Sequence, residues 1–166
     1  MKEVWIFTDG ACRGNPGPGG YGVLLVAGVH RKELSGGFDK TTNNRMELMA
    51  AISGLEQLRK PCRVILISDS RYLVNAMTRD WVGKWKRLGW RRGPRKRLRN
   101  EDLWKRLDAA RENHEVEWRW IRGHAGHSEN ERCDFLAVQA AGGPGRIVDA
   151  GYLREEALDG GDAELI

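Results

Sequence analysis

Val64-Ile65-Leu66-Ile67-Ser68-Asp69-Ser70 is a continuous, mostly β-branched run with Pro61 upstream and a polar Asp-Ser step at its end. Apolar residues that do not alternate with polar ones mark a strand covered on both faces, the inner strand of a sheet with helices on either side. The segments around it fit that reading. From Asn44 to Leu58, the residues Leu48, Met49, Ile52, Leu55 and Leu58 recur at helical spacing, and Pro61 stops the helix. Before it, Val4 to Thr8, Tyr21 to Val26 and Arg31 to Phe38 read as three strands joined by Gly-rich turns, an antiparallel meander. Beyond the run, Arg71 to Thr78 and Asn100 to Arg111 are amphipathic helical segments, and Glu115 to Ile121 is a further strand. Ser128 to Ala141 is a last helix, opened by the capping box Ser128-Glu129-Asn130-Glu131. The order β-β-β-α-β-α-β-α predicts an α/β fold whose mixed sheet joins the meander to parallel crossover strands, with helices packed on it. Residues 1–141 form the expected domain, and the Gly-rich, acidic residues 142–166 read as a flexible tail.

At 166 residues the chain holds one core. Its three cysteines, Cys12, Cys62 and Cys133, are far apart and form no CxxC, which argues against a disulfide scaffold or a cysteine-rich zinc site. No apolar run approaches the roughly 20 residues of a membrane span, so a cytoplasmic protein with no membrane partner is expected. The net charge of +5 is unevenly spread, because residues 79 to 99 contain ten Lys/Arg and one Asp. A basic segment therefore rides on a mildly acidic body.

The acids of that body form a pattern. Asp9 ends the first strand on the side of Trp5 and Phe7, since side chains alternate with period two. Asp69 stands just past the continuous strand, where the C-terminal ends of sheet strands gather ligands. Glu47 is aligned with Ala51, Gly54 and Leu58 on its helix, and Asp134 with Ala137, Val138 and Ala141 on the last one. Four acids from four elements thus point inward, an arrangement that mutual repulsion forbids unless cations neutralise it. Read singly, Glu47 completes a capping box with Asn44, Asp69 caps the next helix, and Asp134 is a surface charge. The repetition of Thr8-Asp9-Gly10 in Ser68-Asp69-Ser70 favours the joint reading. Oxygen-only ligands suit Mg²⁺ or Mn²⁺. Two such ions roughly 3.5 to 4 Å apart can clamp both oxygens of a phosphodiester displacement, so hydrolysis of that bond is the natural chemistry.

His124 lies in Gly123-His124-Ala125-Gly126-His127, a loop from which an imidazole can shuttle a proton. A zinc site of His124, His127 and Cys133 lacks a fourth ligand, and His127 reads better as a loop-holding residue. Gly17-Pro18-Gly19-Gly20-Tyr21-Gly22 matches a dinucleotide-binding pattern, but a strand follows it instead of a helix, so it reads as turn chemistry with Asn15 at the tip. Trp81, Trp85 and Trp90 interleave with Lys84, Lys86, Arg87, Arg91 and Arg92. For the tryptophans, packing a short helix on the body is favoured over base stacking. Arg91-Arg92-Gly93-Pro94-Arg95-Lys96-Arg97 reads as an exposed projection for phosphates.

These residues carry a resemblance. Phe7-Thr8-Asp9-Gly10-Ala11-Cys12 with Gly14-Asn15-Pro16-Gly17-Pro18-Gly19-Gly20-Tyr21-Gly22, then Thr41-Thr42-Asn43-Asn44-Arg45-Met46-Glu47-Leu48, Ser68-Asp69-Ser70, and Gly123-His124-Ala125-Gly126-His127 through Glu129-Asn130-Glu131-Arg132-Cys133-Asp134 resemble the bacterial ribonucleases H of type 1. The resemblance implies a ribonuclease H-like fold with a five-stranded mixed sheet and helices on both faces. It implies a monomeric endoribonuclease that cuts the RNA strand of an RNA/DNA hybrid by a two-metal mechanism, with Mg²⁺ as cofactor and Mn²⁺ as substitute. Products would be 5′-phosphate and 3′-hydroxyl ends, with little sequence specificity. By position, Asp9, Glu47, Asp69 and Asp134 would bind metal and His124 would aid proton transfer or product release. Asn15, Asn43 and Asn44 would contact the hybrid groove with Cys12 close by, and Lys40 and Thr42 would lie near a DNA-strand phosphate. Trp81, Lys84, Trp85, Lys86, Arg87, Arg91 and Arg92 would belong to the substrate-binding projection. Arg71 departs from the pattern, since similar proteins often have Gln there, and the tail has no counterpart. Two other classes compete: a non-catalytic hybrid-binding module and a structure-selective DNA endonuclease on the same acids.

Overall fold

The computed structural model describes residues 1–164. Three long antiparallel strands open the chain, β1 (Lys2–Cys12), β2 (Gly17–Ala27) and β3 (His30–Thr41). Helix α1 (Asn43–Glu56) crosses to β4 (Cys62–Ser68), which lies parallel to β1. Then come α2 (Arg71–Thr78), α3 (Trp81–Arg87), the small hairpin β5 (Arg91–Gly93) and β6 (Lys96–Arg97), α4 (Glu101–Arg111), β7 (Glu115–Trp120), α5 (Ser128–Gly142) and α6 (Ala150–Glu164). The main sheet has the order β3-β2-β1-β4-β7, with β7 parallel to β4. This is the mixed sheet expected, and Val64 to Ile67 are buried on both its faces.

Alternation along the strands sorts the two layers. Val4, Ile6, Val23, Leu25, Val64 and Leu66 share one core with α1, α4 and the fully buried Trp104. The opposite face carries α5, whose buried Cys133 donates its thiol proton to the Phe7 carbonyl at 3.2 Å. The glycine-rich stretch before Tyr21 is strand rather than turn, because α5 lies directly on it. A Cβ on Gly20 would stand 2.4 Å from the Ala137 carbonyl oxygen, and one on Gly22 2.2 Å from that of Cys133. Only glycine admits a helix backbone at that distance from a strand.

Two expectations need correction. Ser128 does not open a capping box: His127 takes the N-cap position without a side-chain bond, and the Ser128 hydroxyl turns to Glu129. Residues 142–166 are not a flexible tail over their described part, since Ala150–Glu164 is helical and its approach is anchored by a buried ion pair. Asp149, 7% exposed, accepts from Arg45 Nε at 2.8 Å and from the Thr41 hydroxyl at 2.7 Å. A fully buried guanidinium requires such partners, and Asp102 accepts two further bonds of 2.8 and 2.7 Å. Residues 165 and 166 lie outside the described part of the chain.

Candidate active site

The register of β1 and β4 pairs Phe7 with Ile67, and two residues further along each strand stand Asp9 and Asp69. The parallel pairing thus sets two carboxylates side by side at the C-terminal edge of the sheet. Glu47 reaches them from the first turns of α1, capped by Thr42, whose hydroxyl accepts from the Arg45 N–H at 3.3 Å. Gly10 lets the helix in: a Cβ there would be 2.6 Å from the Glu47 nitrogen. Its own N–H donates to Glu47 Oε1 and to Asp9 Oδ1, both at 3.0 Å.

Asp9, Glu47 and Asp69 each offer an oxygen within 4.8 Å of the others. Asp134 on α5 lines the same cavity of about 430 Å³ without joining that closest triple, and His124, Asn43, Asn44, Arg71 and Tyr72 are among the other lining residues. Glu47 and Asp69 are therefore not helix caps; Ser70 caps α2 instead, accepting from the Leu73 N–H at 3.2 Å.

Burial, then Asp69 and Asp134, push the Asp9 carboxyl up to about 8. Burial and the Asp9 and Asp69 charges raise Glu47 well above the carboxylate range, and burial raises Asp69. The second oxygen of Glu47, Oε2, is buried with no hydrogen-bond partner. An orphaned carboxylate oxygen beside two further acids fits a hard divalent cation. The zinc alternative fails on position, because Cys133 is buried and bonded to Phe7 while His127 is exposed at the start of α5.

Two residues that no sequence signal marked border this centre. Trp120 Nε1 donates to the Asp69 carbonyl at 2.8 Å, and Arg71 stacks 4.1 Å above the same indole. Tyr72 accepts from Asn100 Nδ2 and Trp104 Nε1 at 2.9 and 3.1 Å, which leaves its own proton free to donate.

The other predicted residues divide into three groups. Asn44 leads from the acidic cavity into an adjoining groove of about 510 Å³ lined by Tyr72, Trp81, Trp85, Arg92 and Arg99. Trp85 also packs on Trp104 with ring centres 5.2 Å apart, so it is a packing residue with an exposed edge. Lys84, Arg91, Arg92, Arg95 and Lys96 are exposed and make no ion pair with the acids described, whereas Lys86 pairs with Asp108 at 3.0 Å and Arg87 with Asp80 at 3.5 Å. Asn15 accepts from the Asn43 N–H at 3.0 Å, Lys40 pairs with Glu156 at 2.8 Å, and the half-buried Cys12 thiol lies against the Gly17 and Thr41 carbonyls.

Comparison with known proteins agrees with this fold. The RNase H family pattern matches residues 1–142. The chain is 55% identical to a ribonuclease H of Shewanella loihica over 92% of its own length and 96% of the relative. It is 57% identical to one of Photorhabdus laumondii over the same 92% and 96%. Among solved structures, a type 1 RNase H with the type 2 active-site motif aligns at 39% identity and a TM-score of 0.78, covering 95% of this chain and 82% of the other. A further RNase H1, solved in complex with an RNA/DNA hybrid, shares the fold at 24% identity and a TM-score of 0.60, with 83% and 96% covered.

Proposed function

The chain belongs to the RNase H family, and from that premise we propose how its residues divide the work of an endoribonuclease on RNA/DNA hybrids. Asp9, Glu47, Asp69 and Asp134 would hold two divalent cations, Mg²⁺ or Mn²⁺ in its place. The observation that carries this assignment is the close triple of carboxylates with an unpartnered Glu47 Oε2. Such cations would supply Lewis-acid chemistry there: a nucleophilic water of lowered pKa and neutralisation of charge on the leaving oxygen. His124, exposed on the loop that faces Asp69, delivers a proton to the leaving 3′-oxygen.

Asn43 and Asn44, open at the cavity rim, offer the amide donors and acceptors that a 2′-hydroxyl or a base edge in the shallow groove requires. Asn15 orients that rim through Asn43, with Cys12 behind it. Lys40 and Thr42 serve a phosphate of the uncleaved strand, and Arg71 replaces a neutral groove contact by a charged one. The groove past Asn44 carries the hybrid to Trp81, Trp85, Lys84, Lys86, Arg87, Arg91 and Arg92. We assign the catalytic domain to residues 1–141 and take the enzyme to act as a cytoplasmic monomer.

The test is end-labelled RNA/DNA hybrid, double-stranded RNA and double-stranded DNA, each with Mg²⁺ and with chelator. Only the RNA strand of the hybrid is expected to be cut, only with the cation, leaving 5′-phosphate and 3′-hydroxyl ends because water attacks rather than the ribose 2′-oxygen. A 2′,3′-cyclic phosphate, or full activity in chelator, overturns the mechanism; cutting of DNA alone favours the DNA endonuclease.

The projection supplies affinity. Replacing Arg91, Arg92, Arg95 and Lys96 by Gln should weaken hybrid binding and flatten its salt dependence by roughly 0.7 to 0.9 log units for each phosphate the protein no longer neutralises. The defect should fall on KM and leave saturated turnover much less changed; a loss confined to kcat shows instead that the segment acts on the transition state.

A further inference from the structure

Helix α6 lays carboxylates along the wall of the groove. Glu156 pairs with Lys40 at 2.8 Å, and Asp159 bonds Arg97 and lies 3.3 Å from Arg99. The pocket they border, about 310 Å³, is closed on its other side by Asn15, Thr42 and Asn44. Asn44 also lines the acidic cavity, and Asn44 and Arg99 both line the groove toward Arg92. A polyanion lying from the carboxylate centre toward the basic hairpin therefore passes Arg99 and reaches Arg97, two cations that Asp159 of α6 already pairs with.

These pairs are not what fastens the helix. Arg45 with the buried Asp149, and Glu155 accepting the Asn100 N–H, anchor it from within. The groove-side pairs are open to water, with side chains 48% and 42% exposed for Lys40 and Glu156 and 66% and 39% for Arg99 and Asp159. Exposed ion pairs of this kind contribute little to stability and exchange readily for a competing anion.

We propose that Glu156 and Asp159 stand in for phosphates: in the free protein they occupy Lys40, Arg97 and Arg99, and a backbone phosphate of the hybrid must displace them. The C-terminal helix is thereby a built-in competitor that lowers affinity and blunts its salt dependence. This rests on the hybrid being the substrate.

The test is the full chain carrying Glu156→Gln and Asp159→Asn, with binding of a labelled hybrid followed by anisotropy in chelator and KM followed in Mg²⁺. Affinity should tighten by about tenfold, KM should fall, and the salt slope should steepen by roughly 0.7 to 0.9 for each further phosphate neutralised. Adding Lys40→Gln to the pair should remove part of the improvement, and Lys40→Gln alone should weaken binding, because it removes the cation that takes the phosphate and leaves Glu156 unpaired beside it. Unchanged affinity and slope in a variant that melts like the parent overturns the proposal, and so does weaker binding. If the parent itself does not prefer the hybrid over duplex DNA, the assigned substrate fails instead, and the two failures are told apart by that control.

Discussion

Asp69→Asn and Asp9→Asn are each expected to lower hybrid cleavage by roughly 10³-fold or more, while both proteins remain folded. Each substitution keeps the shape and removes one anionic ligand from the closest carboxylate triple. Stability supplies the second readout. Burial and the neighbouring Asp69 and Asp134 raise the folded-state pKa of Asp9 from 3.8 to about 8. A carboxyl raised on folding contributes fully only while protonated, below its unfolded value, and that contribution is lost as pH climbs through the folded one. The metal-free parent should therefore lose stability between about pH 4 and pH 8. Asp9→Asn carries no charge to lose, and in chelator at pH 8 it should exceed the parent by on the order of 2 kcal/mol. Saturating Mg²⁺ should narrow that difference, since a cation that binds the folded parent stabilises it by mass action. Equal melting curves at every pH in chelator reject the repulsive cluster, and unfolding of both variants makes these acids structural.

The largest stability effect is expected at Arg45. Its guanidinium is 1% exposed and bonds Asp149 and Asp102, with Asn100 Oδ1 at 3.4 Å. Arg45→Met strands the Asp149 carboxylate in the interior, and removing one partner of a buried pair costs about 3 to 5 kcal/mol. At this size that corresponds to a fall in Tm of roughly 10 °C. The double variant Arg45→Met/Asp149→Leu should recover much of the loss, because no unpaired charge remains buried. Urea denaturation of the parent and both variants decides the matter; a loss under about 1 kcal/mol for Arg45→Met shows that the charge finds water instead.

The same arginine marks where the sequence stopped being legible. Strand β4 declared itself, since an apolar run with no alternation has only one comfortable place in a sheet. Asp9 and Asp69 followed from strand ends, and Glu47 from helical phase. Arg45 sits two residues earlier on that helix, and nothing local says that it is buried or that its partner lies 104 residues on. Without that pair, Asp149 and the acids after it read as a solvated tail, although Asp149 leads directly into α6 and those acids lie on the helix. Trp120 was equally silent: its bond to the Asp69 carbonyl spans 51 residues and leaves no pattern in either segment. Periodicity exposes what an element does with its own faces, whereas pairing between distant elements depends on the assembled fold.

The glycines of β2 carry a consequence for how steadily the fourth acid is held. Gly20 and Gly22 meet carbonyl groups of α5 with no side chain between them, at residues 137 and 133, and Asp134 sits next to the second of these. Side-chain layers breathe as rotamers interchange, but two peptide backbones in direct contact have no rotamers to exchange. The mount of Asp134 is thus backbone laid on backbone, and the jitter of a packed interior has little route to the helix that carries it.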